Sequence, residues 1–335
     1  MIRSAIVLAT ASIMLAGPAA SQGGGISGST DDLAVEGLHH AAITVSDIDA
    51  TVAFYSKAVP YKVIKRLRIR GSAFPRNLLS RKYKEIEIAW VQMPTGIIQL
   101  MDFEPGKPAA SNLRPVIGPG YTHICFQSSS KDPAIKRFMA AGLSIISRFD
   151  KPDGVDIGGY GVRYAYGRDP DGIMIENETL DAPKRSEPAW ITHIANTVHD
   201  LDVMLAFYSK LLGRGPHRII EREGNAKLDA VANIDDLAIK GGWFNVGNME
   251  IEVWEYVKPK TPLPASDRYL DEIGYNAIAL EVEDLKGHQK RLKKLGIRLA
   301  GPAILLDGWK IQYGYDPEGN LFSLQQRTGR TPRRT

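Results

Sequence analysis

The stretch "LHHAAITVSDIDATVAFYSK", Leu38–Lys57, is written a second time as "ITHIANTVHDLDVMLAFYSK", Ile191–Lys210. In both, a histidine (His40, His193) stands seven residues before an aspartate (Asp47, Asp200), an apolar alternating run lies between, and AFYSK follows. Alternation at period two reads as a strand, and the aspartate with its neighbours as the cap of a helix. The repetition extends well beyond these words. His40 to His193 is an offset of 153, and Gln99 to Glu252 is again 153. "GYTHICFQ" from Gly120 pairs with "GYNAIALE" from Gly274, and "GRDPDGIMIE" from Gly167 with "GYDPEGNLFS" from Gly314. The order is kept throughout, which marks a tandem duplication.

Each half is itself doubled. After the first strand and helix come the strand-like runs "YKVIKRLRI", "EIEIAWVQM" and "GIIQLMDF". The next quarter opens on "YTHICFQ", caps a helix at Asp132-Pro133 and ends in "LSIISRF", "VRYAYG" and "IMIENETL". The expected fold is therefore α+β: four βαβββ modules, two in each half of the chain. The boundaries expected are 37–180 and 190–327, a linker at 181–189 and a basic tail at 328–335. Residues 1–21 have the layout of a secretory signal: Arg3, the apolar "AIVLATASIMLAG", then small residues that allow cleavage after Ala19 or Ser21. A flexible leader, 22–36, follows, and the protein is expected to be exported, periplasmic or secreted.

The 335 residues, 44 % hydrophobic and 24 % charged, suit a globular chain of two domains with sizeable cores. A net charge of +4, partly in the tail, gives no nucleic-acid signal. Cys125 is the only cysteine, so no intrachain disulfide can form, and its apolar run reads as a buried strand.

Four such modules, with "HAAITVSDID", "DPDGIMIE" and their second copies, resemble the vicinal oxygen chelate superfamily of glyoxalases, epimerases, extradiol dioxygenases and metal-free bleomycin-binding proteins. The resemblance covers about residues 37–326. It implies that the modules pair into two tandem half-open barrel domains, with one metal donor from the first and the last strand of each module. Carried over, these positions are His40, Gln99, His123 and Glu176 in the first half, and His193, Glu252, Ala277 and Ser323 in the second. The first half thus has a full donor set and is expected to hold one divalent metal (Fe, Mn, Zn, Co or Ni). The second is expected to be degenerate, a two-ligand remnant. Imidazoles and a carboxylate from separate strands are the donors that such ions take. His39 is expected on the opposite strand face from His40.

Three functions stay open. The first is Lewis-acid proton transfer (isomerase, epimerase or lyase) on a small oxygen-chelating substrate, with Glu176 as the proton-moving carboxylate. The second is Fe(II) extradiol ring cleavage, for which the resemblance adds Tyr166. The third is a non-catalytic small-molecule binding protein. The first is favoured, with no nucleic-acid or membrane partner after signal removal, and a monomer or homodimer. Arg70, Arg76 and Arg81 are candidates for an anion grip beside the reading as solvated arginines, "GGYG" at Gly158 for a lip over the site, and Asp47, Asp169 and Asp171 for caps and turns.

Overall fold

The computed structural model describes residues 33–104 and 114–329. The expected signal, most of the leader and most of the tail lie outside the described residues, and the leader's last two residues already belong to a strand. The four modules form as expected. The first holds β1 (Val35–Thr44), α1 (Ile48–Tyr55), β2 (Lys62–Arg70), β3 (Glu85–Gln92) and β4 (Ile97–Asp102). The second holds β5 (Gly120–Ser129), α2 (Ala134–Ala141), β6 (Ser144–Ile145), β7 (Val162–Arg168) and β8 (Met174–Leu180). The third holds β9 (Trp190–Thr197), α3 (Leu201–Leu212), β10 (Arg218–Glu223), an added α4 (Ala226–Ala232), β11 (Ala238–Asn245) and β12 (Glu250–Lys258). The fourth holds β13 (Gly274–Val282), α5 (Leu285–Lys294), β14 (Ile304–Leu306), β15 (Trp309–Tyr315) and β16 (Leu321–Arg327).

The local chemistry of the quoted stretches is as read. Asp47 caps α1 by accepting from the Ala50 amide, and Asp200 caps α3 through the Val203 amide. Asp169 and Asp316 hold the two DP(D/E)G turns, each accepting two backbone amides, those of Asp171 and Ile173 and those of Glu318 and Asn320.

The pairing of modules differs from the expected one. The strands make two eight-stranded sheets, ordered β14-β15-β16-β13-β1-β4-β3-β2 and β10-β11-β12-β9-β5-β8-β7-β6. The first joins modules one and four through the antiparallel pair β1–β13, and the second joins modules two and three through β5–β9. Each sheet therefore takes one module from each half of the sequence, and neither follows the 37–180 and 190–327 division. Helices α1, α2, α3 and α5 pack on one face, where Ile43, Phe54, Phe126, Phe138, Phe207 and Leu280 share a large core. The other face of each sheet is concave. No helix among the described residues is long and apolar enough to cross a membrane.

The two concave faces are finished differently. Between β2 and β3 runs "GSAFPRNLLS", which makes two short 3-10 turns at Gly71–Ala73 and Arg76–Leu78. Its Phe74, Leu78 and Leu79 are buried among Ile88, Trp90, Met101, Tyr313 and Leu321, so this cup is packed with side chains. The equivalent insertion in the other sheet is α4, capped by the Asn225 side chain. It leaves a cavity of about 730 Å³ beside it.

Candidate metal centre

Four contiguous strands, β8, β5, β9 and β12, carry Glu176, His123, His193 and Glu252 to the floor of the second cup. All four are buried, and one ligand atom from each lies within 4.8 Å of every other. His193 Nε2 is 2.9 Å from Glu176 Oε2 and 3.1 Å from Glu252 Oε2. His123 Nε2 stands 3.5 and 3.6 Å from the same two oxygens, too far for a hydrogen bond, and has no hydrogen-bond partner.

Register explains how the histidines reach inward. In β5, two residues, Thr122 and His123, occupy the space of one in β9, and in β9 Thr192 and His193 do the same against Cys125. These are β-bulges, which re-aim a side chain at the cost of a ladder bond. The residue before each histidine is a threonine whose hydroxyl meets the ring: Thr122 Oγ1 is 3.1 Å from His123 Nδ1, and Thr192 Oγ1 is 3.3 Å from His193 Nδ1. A hydroxyl accepting from Nδ1–H leaves Nε2 free as the ligand atom. The carboxylates come from regular strands. Glu176 sits opposite Tyr166, and Glu252 opposite Trp243.

Electrostatics follow from this packing. Burial pushes the Glu176 carboxyl up, but the two imidazoles outweigh it and hold it down at about 2. Glu252 is lowered in the same way. Burial alone would lower the imidazoles, and the two carboxylates instead raise His123 and raise His193 well above its ordinary value. Without a metal the cluster is thus a proton-holding ion quartet. Glu178, two residues along the same strand face, is raised to about 7 by burial and by the Glu176 charge, and accepts from the Gln127 amide.

The expected quartet His40, Gln99, His123 and Glu176 is therefore not one site. The structure brings together His123 and Glu176 with His193 and Glu252, the two residues read from sequence as a remnant. His40 and Gln99 lie in the other sheet, where the equivalent positions in module four are Ala277 and Ser323 and the cup is filled. The physical reason is the strand pairing: β5 lies beside β9, and β1 beside β13. His39 also departs from expectation. A bulge at His39–His40 turns both rings the same way, with Nδ1 atoms 2.8 Å apart, and burial lowers both. Tyr166 lies against His123, ring centroids 5.1 Å apart, and burial keeps its phenol neutral.

The remaining candidates find ordinary places. Arg76 bonds the Leu79 and Ser80 carbonyls and Arg81 pairs with Glu104, so both brace the plug rather than face the cavity. The Gly158 lip is at the cavity edge: Tyr160 lines it and bonds Tyr164 through the two hydroxyls at 2.9 Å. His288, on α5, is buried.

Comparisons with known proteins agree with this architecture. Residues 37–177 and 192–313 each match a family model of the Glyoxalase/Bleomycin resistance protein/Dioxygenase superfamily. The chain belongs to that superfamily, as two family-model domains in tandem. Among solved structures it is similar to glyoxalase I from Zea mays, at 18 % identity and a TM-score of 0.58, covering 86 % of this chain and 92 % of that one. A Bacillus subtilis protein named as a candidate dioxygenase is similar at 11 % identity and a TM-score of 0.54, covering 88 % and 86 %. At these identities the likeness is one of fold. No curated protein matches the chain in sequence.

Proposed function

We propose that this protein is a metalloenzyme whose single working centre, His123, Glu176, His193 and Glu252, holds one divalent ion for proton-transfer chemistry on a substrate with two neighbouring oxygens. The observation that carries the reading is the convergence of four buried donors on one point, with His123 Nε2 left without a hydrogen-bond partner. Two imidazoles and two carboxylates suit Fe(II), Mn(II), Co(II), Ni(II) or Zn(II), and the paired anions balance a charge of two. When bound, such an ion supplies Lewis acidity toward substrate oxygens.

The donor count favours proton transfer over ring cleavage. A six-coordinate ion held by these four donors would keep two positions for a chelating substrate. Ring cleavage by the three-donor Fe(II) pattern keeps a further position for oxygen. The chain's own groups supply the rest. Glu176, ionised and lining the cavity, would hold the ion through Oε2, and its second carboxylate oxygen would take a proton from the carbon beside the chelating oxygens and return it. Tyr166, kept neutral, is a hydrogen-bond donor rather than a base. All four donors come from one chain, so a monomer suffices for the site. Export remains part of this proposal and rests on residues 1–21 alone.

The test is metal analysis of the purified protein, then turnover of 2-hydroxy ketone and 2-hydroxy acid panels with oxygen present and excluded. One metal per chain and oxygen-independent isomerisation or elimination is expected. Activity on catechols that requires oxygen would overturn the reading.

A further inference from the structure

The cavity above the centre is larger than two chelating oxygens need, and its far wall has a charge pattern of its own. This inference rests on the metal reading and concerns the rest of the substrate. β10 is the edge strand of its sheet, and alternation turns Arg218, Ile220 and Arg222 toward the cavity, while Glu221 and Glu223 point the other way. Arg218 lies flat over the Trp243 ring, 3.7 Å from its centroid, and Arg222 bonds only the neighbouring Glu221 carbonyl. Among the described residues neither guanidinium has a carboxylate partner, although Glu221 and Glu250, nearby, are engaged by Lys240 and His217. Between this wall and the carboxylates of the centre the surface is aromatic: Trp243 and Trp254 pack edge to face at 5.1 Å, and Tyr164 lines the cavity with them.

We infer that the substrate is an amphiphile: two neighbouring oxygens at one end, an apolar or aromatic body, and an oxyanion at the other end held by Arg218 and Arg222. Guanidinium forks with unused donors beside an apolar wall match a carboxylate or phosphate carried on such a body. The stacking of Arg218 on Trp243 fixes the fork in advance, which lowers the ordering cost of binding. A volume of about 730 Å³ is in the range that encloses a ligand of this size. A divalent ion would bring the centre close to neutral, and Arg218 and Arg222 are then the arginines of a wall that also holds Glu250, itself engaged by His217.

The experiment uses bidentate hydroxamates of matched length. Octano- and hexanohydroxamic acids end in a methyl group, the monohydroxamic acids of suberic and adipic acid end in a carboxylate at the same two lengths, and an ω-phosphonate analogue separates the two oxyanions. Binding to the zinc-loaded full chain is followed by tryptophan emission and calorimetry. An ω-oxyanion should tighten binding about tenfold or more for at least one length, the scale of a charge-assisted hydrogen bond. The double variant Arg218→Gln/Arg222→Gln should erase that advantage and keep octanohydroxamate affinity, which also shows that it folds. Equal affinity of methyl- and oxyanion-ended probes at every length would overturn the inference while leaving the metal reading intact, as would an advantage that survives in the double variant. No hydroxamate binding by the zinc-loaded protein would overturn the metal reading, and this inference with it.

Discussion

His193→Ala in metal-stripped protein probes the buried quartet directly. His193 Nε2 is the nearest cation to both Glu176 and Glu252, at 2.9 and 3.1 Å. Removing it leaves two buried carboxylates with His123 alone, at 3.5 and 3.6 Å. Breaking a buried ion pair from one side costs about 3–5 kcal/mol, and the lower half of that range applies because one imidazole remains. The pH dependence has a definite sign. In wild type, the carboxylates are lowered, so their contribution is present above about pH 4.5 and lost as pH falls through about 2 for Glu176. The imidazole is raised, so its contribution is full below about pH 6.5 and lost as pH rises through its folded value. In the variant, a proton on one carboxylate replaces the missing cation. The deficit should therefore be smallest near pH 4 and largest near pH 6.5. Urea unfolding in chelator across this range measures it. A deficit under about 0.5 kcal/mol near neutrality, or one that grows as pH falls, would refute the quartet.

Three further outcomes follow from other parts of the molecule. Thr192→Val keeps shape but removes the hydroxyl 3.3 Å from His193 Nδ1; metal affinity by competition with a chromogenic chelator should fall about tenfold. Phe74→Ala, in the plug of the other cup, should cost about 3–5 kcal/mol in chemical denaturation and leave metal content unchanged. Tyr55→Phe removes a 2.9 Å bond donated to Asp169, whose carboxyl burial raises to about 7. A raised acid destabilises the fold as pH rises through its folded value, and this bond offsets part of that loss. The variant should thus be less stable by about 1–2 kcal/mol at pH 8 and by less at pH 5.

Much of this was legible in the sequence, and what was not has physical causes. The eight positions carried over from the resemblance all lie on first or last strands, although bulges at His40, His123 and His193 break the period-two alternation there. The repeat could not fix which modules pair, since β1–β13 and β5–β9 join residues far apart in sequence. One signal did point to the observed arrangement. Modules two and three are the ones that keep both a histidine and a carboxylate, His123 with Glu176 and His193 with Glu252. Joining them gathers every charged donor, whereas module four offers Ala277 and Ser323 to His40 and Gln99. The bulges were hidden for another reason. An extra residue is a property of two strands in register, so it appears only once Thr122–His123 and Thr192–His193 are set against their partners. That Gly71–Leu79 fills one cup while α4 leaves the other open also depends on tertiary packing.

The central claim is that the working centre is built across the sequence halves, from His123, Glu176, His193 and Glu252. Metal content per chain, measured on matched variants by mass spectrometry after dialysis against free metal, tests it most directly. The account predicts one metal in wild type, in His40→Ala and in Gln99→Ala, and none retained in His193→Ala or Glu252→Ala. Metal lost from His40→Ala but kept in His193→Ala would contradict it.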